Sequence, residues 1–538
     1  MTCYTLHRQF LLLEGKENYL CIVKYTVQGG LEAQKILVEA DVSGGLPSFQ
    51  MVGLLASAVK EARERVRISL QNSGVIFPPK RITVNLSPAD IRKDGSGFDL
   101  PIAISLVAAF GMIPISYTEH MAIAGELSLD GRVHGIHGAL SMAIVAKESG
   151  FSSVMLPAAN VAEASFVAGI DVIGVQTLKE AIAYLRGEIE ILPAKGEWEK
   201  NGGERQLPEV DFSEISGQKT AKKAAETAVA GAHNLLMVGA PGTGKTLLAK
   251  ALVGVMPPLS RKEMLELTKI YSVAGRLDEK MPVIVQRPFR APHHSISPAA
   301  FSGGGSKVVP GEITLAQNGI LFLDELPEFS RTTLEILRQP MEEGKIHLSR
   351  LGHSFEYPAK MMVVGAMNPC RCGFYPDMQK CRCTPLQVQN YLARLSEPLL
   401  DRMDLCVEME KAVFGLPEIK EKAENSEQIR SRILAARERQ ERRYREETIS
   451  YNSELDGKTI EKYCSLRKNE EILWRELCEQ LELSARGAKR LLRVARTLAD
   501  LSEREQIQEE DLFEASMYKG ISRKYWNSIP EGTQGVMR

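Results

Sequence analysis

The octapeptide Gly239-Ala240-Pro241-Gly242-Thr243-Gly244-Lys245-Thr246 has the glycines, lysine and hydroxyl of a triphosphate cradle at the right spacing. Glycines let backbone N–H groups close around the phosphates, and a helix beginning there points its positive end at them. Lys245 would lie against the β- and γ-phosphates, and the Thr246 hydroxyl would ligate magnesium. Further along, the run GILFL delivers Asp324 and Glu325 side by side. One carboxylate would support the magnesium ion and the other would orient and polarise a water, so the expected chemistry is ATP hydrolysis with Mg2+.

Such groups need rigid elements to hold them. Residues 235–238 read as a short buried strand that breaks into the glycine turn, after which LLAKAL resumes at helical spacing. An amphipathic helix at 219–230 precedes it. The strand expected at 320–323 places Asp324 and Glu325 at its C-terminal end, where ligands bind in open parallel sheets. A third strand, 361–366, ends in Met367-Asn368. Asn368 at that tip would hold water near the γ-phosphate, although an isolated Asn is more often a turn residue. Near the C-terminus, 483–501 forms an amphipathic helix whose inward face is Leu491, Leu492, Val494, Ala495 and Leu498. Its basic residues Lys489, Arg490, Arg493 and Arg496 read as a solvated face.

With 538 residues the chain exceeds one core, and about two to four domains are expected. Lys+Arg 67 against Asp+Glu 68 leaves a net charge of −1, so a nucleic-acid surface would be a local patch. No segment reaches the roughly 20 apolar residues that span a bilayer, and the N-terminus lacks a secretory signal pattern. A cytoplasmic protein with no membrane partner is the expectation. Four of the nine cysteines, Cys370, Cys372, Cys381 and Cys383, form two C-x-C pairs. In a reduced compartment such a set reads as a structural zinc site, as free thiols or as a redox pair.

From about 17 to 188, β-rich runs (ILVEADV, RITVNLS, VMLPA, DVIGV) alternate with helical ones, which argues for an α/β or α+β domain. Residues 189–209 are polar, without periodicity, and read as a linker. The runs GLPSFQMVGL, KDGSGFDLPIAI and GELSLDGRVHGIHGAL resemble the Lon-protease-like domain at the front of the magnesium chelatase-like AAA+ proteins, the YifB/ComM family. In proteolytic Lon domains a Ser–Lys dyad occupies the matching segments. Here the serine position falls on or beside Asp99 and the lysine position on Leu140. Leucine cannot act as a base, and Ser96 and Lys93 read as solvated loop residues. The domain is therefore expected to be a scaffold or polynucleotide platform without peptidase activity.

Later motifs resemble the same family in order. ISGQ is similar to the adenine-holding segment, AMN to the sensor-1 asparagine (Asn368), EPLLDRMDL to the arginine-finger segment (Arg402), and Ser484-Ala485-Arg486 to the sensor-2 arginine. Arg402 would reach a neighbouring subunit's γ-phosphate; its alternative is a salt bridge with Asp401 or Asp404. Residues 286–312 resemble the helix-2 insertion and 346–357 the pre-sensor-1 hairpin. Both suit contacts with single-stranded DNA in a ring channel. Within the first, His293 and His294 read equally as a satisfied buried pair or as ligands.

The resemblance implies an α/β AAA+ P-loop ATPase core (210–412) with a C-terminal helical lid (413–519). A Lon-protease-like α+β domain (1–188) and the linker (189–209) come before it, and a polar tail (520–538) follows. It further implies a hexameric ATPase that migrates single-stranded or branched DNA during homologous recombination of incoming DNA. The alternative is a chelatase-type or protein-remodelling motor without DNA activity. The D-x-S-x-S pattern that chelation needs in a partner is missing from this sequence.

Overall fold

Alternate burial along Ala33–Ser43, with Ile36, Val38 and Ala40 turned inward, makes this segment a strand with one face on a core. The computed structural model describes residues 19–26, 31, 33–93, 95–194, 209–278, 281–305, 309–350, 353–377, 379–410 and 424–526. Most of the expected linker (195–208), the hairpin tip (351–352), the charged stretch 411–423 and the end of the tail (527–538) lie outside the described residues.

The chain folds into two units. The first takes the described residues up to 194 together with 261–278 and 281–285. Its sheet comprises Tyr19–Thr26 (β1), Ala33–Ser43 (β2), Ser48–Val52 (β3), Arg81–Ser87 (β4), Met121–Ile123 (β5), Ser153–Pro157 (β6) and Asp171–Val175 (β7), in the order β3-β4-β2-β1-β5-β6-β7. β2 runs antiparallel to both β1 and β4, whereas the other pairs are parallel. Ser57–Asn72 (α1) packs through Val59, Ala62, Val66 and Leu70, a helical stripe. Asp99–Ala109 (α2) is apolar all round and buried almost throughout, so it occupies the centre of this unit. Ala139–Glu148 (α3) and Leu178–Leu185 (α4) complete the cover.

The second unit takes 209–260, 286–305 and 310 onward. Its sheet is all parallel: Leu235–Gly239 (β8), Phe289–Arg290 (β9), Ile320–Leu323 (β10), Met362–Met367 (β13) and Leu405–Met409 (β14), in the order β9-β10-β13-β8-β14. β8, β10 and β13 are buried at every position, as parallel strands covered on both faces must be. β8 lies between β13 and β14, so the three strand tips that open beside it share one crevice. The expected hairpin forms from Lys345–Arg350 (β11) and His353–Pro358 (β12), with Ile346 opposite Tyr357, and Pro385–Leu392 (α8) follows β13.

Lys219–Gly231 (α5) and Lys245–Val255 (α6) share a core with the C-terminal helices Ser426–Arg443 (α9), Lys468–Gln480 (α10), Ala485–Leu501 (α11) and Glu509–Trp526 (α12). Leu491, Leu492, Val494, Ala495 and Leu498 are buried in it, the face read from the sequence.

Arg261–Val273 (α7) lies inside the expected 210–412 stretch but belongs to the first unit. Met264, Leu265 and Val283 pack on the α3 cluster, and Gly138 N donates to Ser272 O at 3.2 Å. Gly275, at φ 64, lies so close to His137 that a Cβ would meet its Cε1 at 2.5 Å. The structure corrects three further expectations. Arg490, Arg493 and Arg496 are not a solvated face: Arg496 is 1% exposed and donates to Asp500, Arg504 O and Glu505 O, because α11 is enclosed by its neighbours on its polar side too. The chain from 520 to 526 is not loose, since Tyr525 is buried and its hydroxyl donates to Glu408 at 2.7 Å. Lys93 is not solvated but buried.

Candidate active site

At the end of β8 the chain must pass very close to β14: a Cβ on Gly239 would lie 2.6 Å from Met409 O. Gly242 and Gly244 have φ of 78 and 89, a region that glycine enters at no steric cost, and Gly244 caps α6. Between them Thr243 Oγ1 donates to Ala240 O at 3.0 Å, tightening the turn, and Pro241 sits at its rim. Residues 239–246 thus form a loop whose backbone leads into a helix N-terminus, the geometry that receives phosphate.

The tips of β10 and β13 bring the remaining groups to this loop. Lys245 is largely buried, and its Nζ donates to Gly239 O (2.7 Å), Ala240 O (3.0 Å) and Asn368 Oδ1 (3.1 Å). Burial holds its ammonium below the ordinary lysine value against the pull of Asp324. Thr246 Oγ1 donates to Asp324 Oδ2 at 2.9 Å, so the hydroxyl and carboxylate expected to share magnesium already face one another. Asp324 Oδ1 accepts from Glu325 N at 2.9 Å. Glu325 has φ 51, a left-handed conformation that turns its side chain away from the strand direction. Gln218, in ISGQ, also has positive φ, and its amide donates to Glu410 O (2.6 Å) and Thr243 O (3.3 Å), tying that segment to the loop.

His293 and His294 are not a buried pair. Their rings lie 4.1 Å apart at the surface, and His294 Nδ1 lies 3.4 Å from Glu325 Oε2. No sequence pattern announced that contact. Arg402 forms neither of the expected bridges: it donates to Arg338 O (3.1 Å), Pro398 O (2.6 Å) and Glu342. Arg486 Nη2 also reaches Glu342, at 3.0 Å. Among the described residues neither arginine hydrogen-bonds to 239–246. Glu342 was missed by sequence reasoning because nothing local distinguishes it from its neighbour Glu343. Asp404 instead accepts from Asn234 N at 3.0 Å, with Arg490 at 3.6 Å and His233 at 3.7 Å.

Directly after Asn368 the chain brings Cys370, Cys372, Cys381 and Cys383 together with all ligand atoms within 4.8 Å of one another. Sγ separations are 3.3 Å (Cys370–Cys372), 3.5 Å (Cys372–Cys381) and 3.8 Å (Cys370–Cys381). These are too long for disulfides and close to the roughly 3.8 Å edge of a tetrahedron with zinc–sulfur bonds of about 2.3 Å. Burial opposes ionisation of Cys372, but the Arg382 and Phe374 N–H groups outweigh it and bring the thiol down to about 6. Tyr375 N also points at Cys370 Sγ, at 3.5 Å. The donor set fits a structural zinc ion, with outer N–H groups supporting the thiolates.

In the first unit, Leu140 is fully buried in α3, Ser96 donates to Glu126, and Lys93 Nζ donates to Pro88 O. Asp99 is buried and held by Arg65 at 2.9 and 3.0 Å. No Ser–Lys dyad exists among the described residues.

Three family models match in chain order: Subunit ChlI of Mg-chelatase over 38–160, Magnesium chelatase, subunit ChlI over 211–415, and Magnesium chelatase, subunit ChlI C-terminal over 423–519. The chain is 42% identical over 513 residues to "Uncharacterized protein YifB" of Salmonella typhimurium, covering 94% of this chain and 98% of the relative. It is 40% identical over 510 residues to "Competence protein ComM" of Haemophilus influenzae, with the same coverage. A segment of 143 residues, 26% of the chain, is 28% identical to the archaeal Lon protease of Methanocaldococcus jannaschii. No described helix is long and apolar enough to cross a membrane.

Proposed function

The chain belongs to the YifB/ComM family of magnesium chelatase-like AAA+ ATPases, and we propose that it is a hexameric ring motor coupling ATP hydrolysis to DNA branch migration in homologous recombination. The observation that carries this reading is the meeting of Lys245, Thr246, Asp324, Glu325 and Asn368 at three adjacent strand tips. Residues 239–246 would cradle the triphosphate through backbone N–H groups, with Lys245 against the β- and γ-phosphates. Magnesium, held by Thr246 and Asp324, would neutralise charge developing on the phosphates. Glu325 would orient the attacking water and take its proton, and Asn368 would hold that water near the γ-phosphate.

Arg402 and Arg486 would act together on the nucleotide of the next subunit, since both gather at Glu342 rather than at their own phosphate loop. The sulfurs of Cys370, Cys372, Cys381 and Cys383 would hold a structural zinc ion.

DNA as the polymer is supported by the likeness to the competence protein over nearly the whole chain and by the resemblance of 286–312 and 346–357 to insertions suited to single-strand contacts. A chelatase reading has the family models' description on its side, but the sequence lacks the D-x-S-x-S pattern.

ATPase rate measured alone, with single-stranded DNA and with forked DNA tests the proposal. Stimulation by DNA, greatest with forks, is expected; indifference to both would move the motor to another polymer. Lys245→Ala should lose nucleotide binding, and Glu325→Gln should retain ATP while barely hydrolysing it.

A further inference from the structure

The loop that carries the four sulfurs turns back against the phosphate loop. Gly373, one residue after Cys372, has φ 82, and a Cβ there would lie 2.3 Å from Pro241 Cδ and 3.1 Å from its Cγ. Only a residue without a side chain lets the backbone press on the proline ring this closely. Pro241 is the third residue of the phosphate loop, immediately before Gly242, whose backbone would face the phosphates. The same loop leaves β13 through Asn368, which accepts from Lys245. The sulfur-bearing loop is thus joined to the nucleotide site twice, at Asn368 and at Pro241.

Cys370, Cys372, Tyr375, Cys381 and Cys383 pack on the cluster around Tyr391 and Tyr525. Among its described residues the loop contains no helix or strand between Met367 and the helix that begins at Pro385. A tilted ring contact between Tyr375 and Tyr525, centroids 6.3 Å apart, anchors one side, and buried Cys370 the other. Cross-linking the chain through one ion is what would hold its turn at Gly373 in place, as metal binding does for other segments too small to own a core.

We infer that the zinc ion buttresses the phosphate loop through the Gly373–Pro241 contact, so that ATP affinity depends on metal occupancy at a site that never touches the nucleotide. The inference rests on the structural-zinc reading above and adds to it a consequence for nucleotide binding. A small displacement of Pro241 shifts the N–H groups that follow it, and phosphate recognition falls steeply with such misplacement. Cys370, Cys372, Cys381, Cys383 and Gly373 are in this account positioning residues rather than catalytic ones.

The test uses the full-length protein in magnesium buffer. Metal content is measured first. Zinc is then released with p-hydroxymercuribenzoate and followed with a chromophoric chelator, while a fluorescent non-hydrolysable ATP analogue reports affinity. About one zinc per chain is expected. The analogue's Kd should rise about tenfold or more on release and return when dithiothreitol and zinc are added back. Gly373→Ala should retain its zinc yet show a similar rise in Kd, and its far-UV spectrum checks folding. Should the purified protein carry no zinc and bind none, the zinc reading itself fails. Zinc present and released, with an unmoved Kd in both the stripped protein and Gly373→Ala, overturns the coupling alone.

Discussion

Arg402 and Arg486 converge on one carboxylate: both guanidinium groups pair with Glu342, Arg402 through Oε2 and Arg486 through Oε1. Arg402 is 7% exposed and braced by two carbonyls, whereas Arg486 is open to solvent. Two cations held by one anion leave a surplus positive charge, an arrangement suited to an anion arriving from another subunit. Arg402→Ala and Arg486→Ala should each retain binding of an ATP analogue and lose about a thousandfold in kcat. If Arg486→Ala instead weakened analogue binding by an isolated subunit while Arg402→Ala did not, the two would not act together.

Glu325 has a partner, His294, whose Nδ1 faces Oε2 at 3.4 Å. An imidazole there holds the carboxylate turned toward itself, away from the water it would orient. His294→Ala should raise the DNA-free kcat a few-fold with KM for ATP unchanged, and His294→Asn, which keeps a donor near the Nδ1 position, should restore the parental value. Steady-state ATPase kinetics of the two variants decide it: equal rates in both variants and parent would mean that the contact has no bearing on hydrolysis.

Asp404 is 4% exposed between Arg490, His233 and Asn234 N, and so pins α11 to the sheet. Burial opposes its ionisation, but Arg490, His233 and Lys519 outweigh that cost and hold the carboxyl below the ordinary range. Its folded pKa therefore lies below its unfolded value. The resulting stability is fully present above about pH 4 and is lost as pH falls through the folded value. Asp404→Asn leaves buried cations without a counter-charge and should cost about 3–5 kcal/mol in urea melts at neutral pH. The gap between variant and parent should narrow as the melts are moved to acid; a gap that stays constant would mean that charge is not the cause.

Removing the first 204 residues should not yield a well-behaved ATPase core. Met264, Leu265 and Val283 would lose the α3 cluster they pack against and become an exposed apolar patch. Size-exclusion chromatography of the truncated chain should show aggregation, which Met264→Glu combined with Leu265→Glu should relieve. A monodisperse truncated chain would show that α7 does not depend on the first unit.

The candidate site was legible in the sequence because its signals are local. The glycine spacing, the apolar strand before it and the run ending in Asp324 and Glu325 each lie within one contiguous segment, and the hairpin at 346–357 is marked by its strand-turn-strand spacing and its resemblance to the pre-sensor-1 hairpin. What needed the fold were pairings of groups far apart in sequence. Glu342 takes its role from Arg402 and Arg486, and nothing beside it foretells that. The basic residues of α11 read as solvated because charge is usually turned outward; Arg496 is inside because Asp500 and two carbonyls satisfy it there. The membership of α7 in the first unit was hidden for the same reason, since its apolar residues show that it packs but not on what.

In a ring of the proposed kind each site takes Lys245 from one protomer and Arg402 from the next. Lys245→Ala and Arg402→Ala proteins, each inactive alone, should be mixed in varied ratio and the ATPase rate measured. Recovered activity should peak near equal proportions and fall on dilution, because a seam with an intact Lys245 on one side and an intact Arg402 on the other exists only in mixed rings. A mixture that stays inactive at every ratio and concentration, although the subunits are shown to exchange, would contradict it.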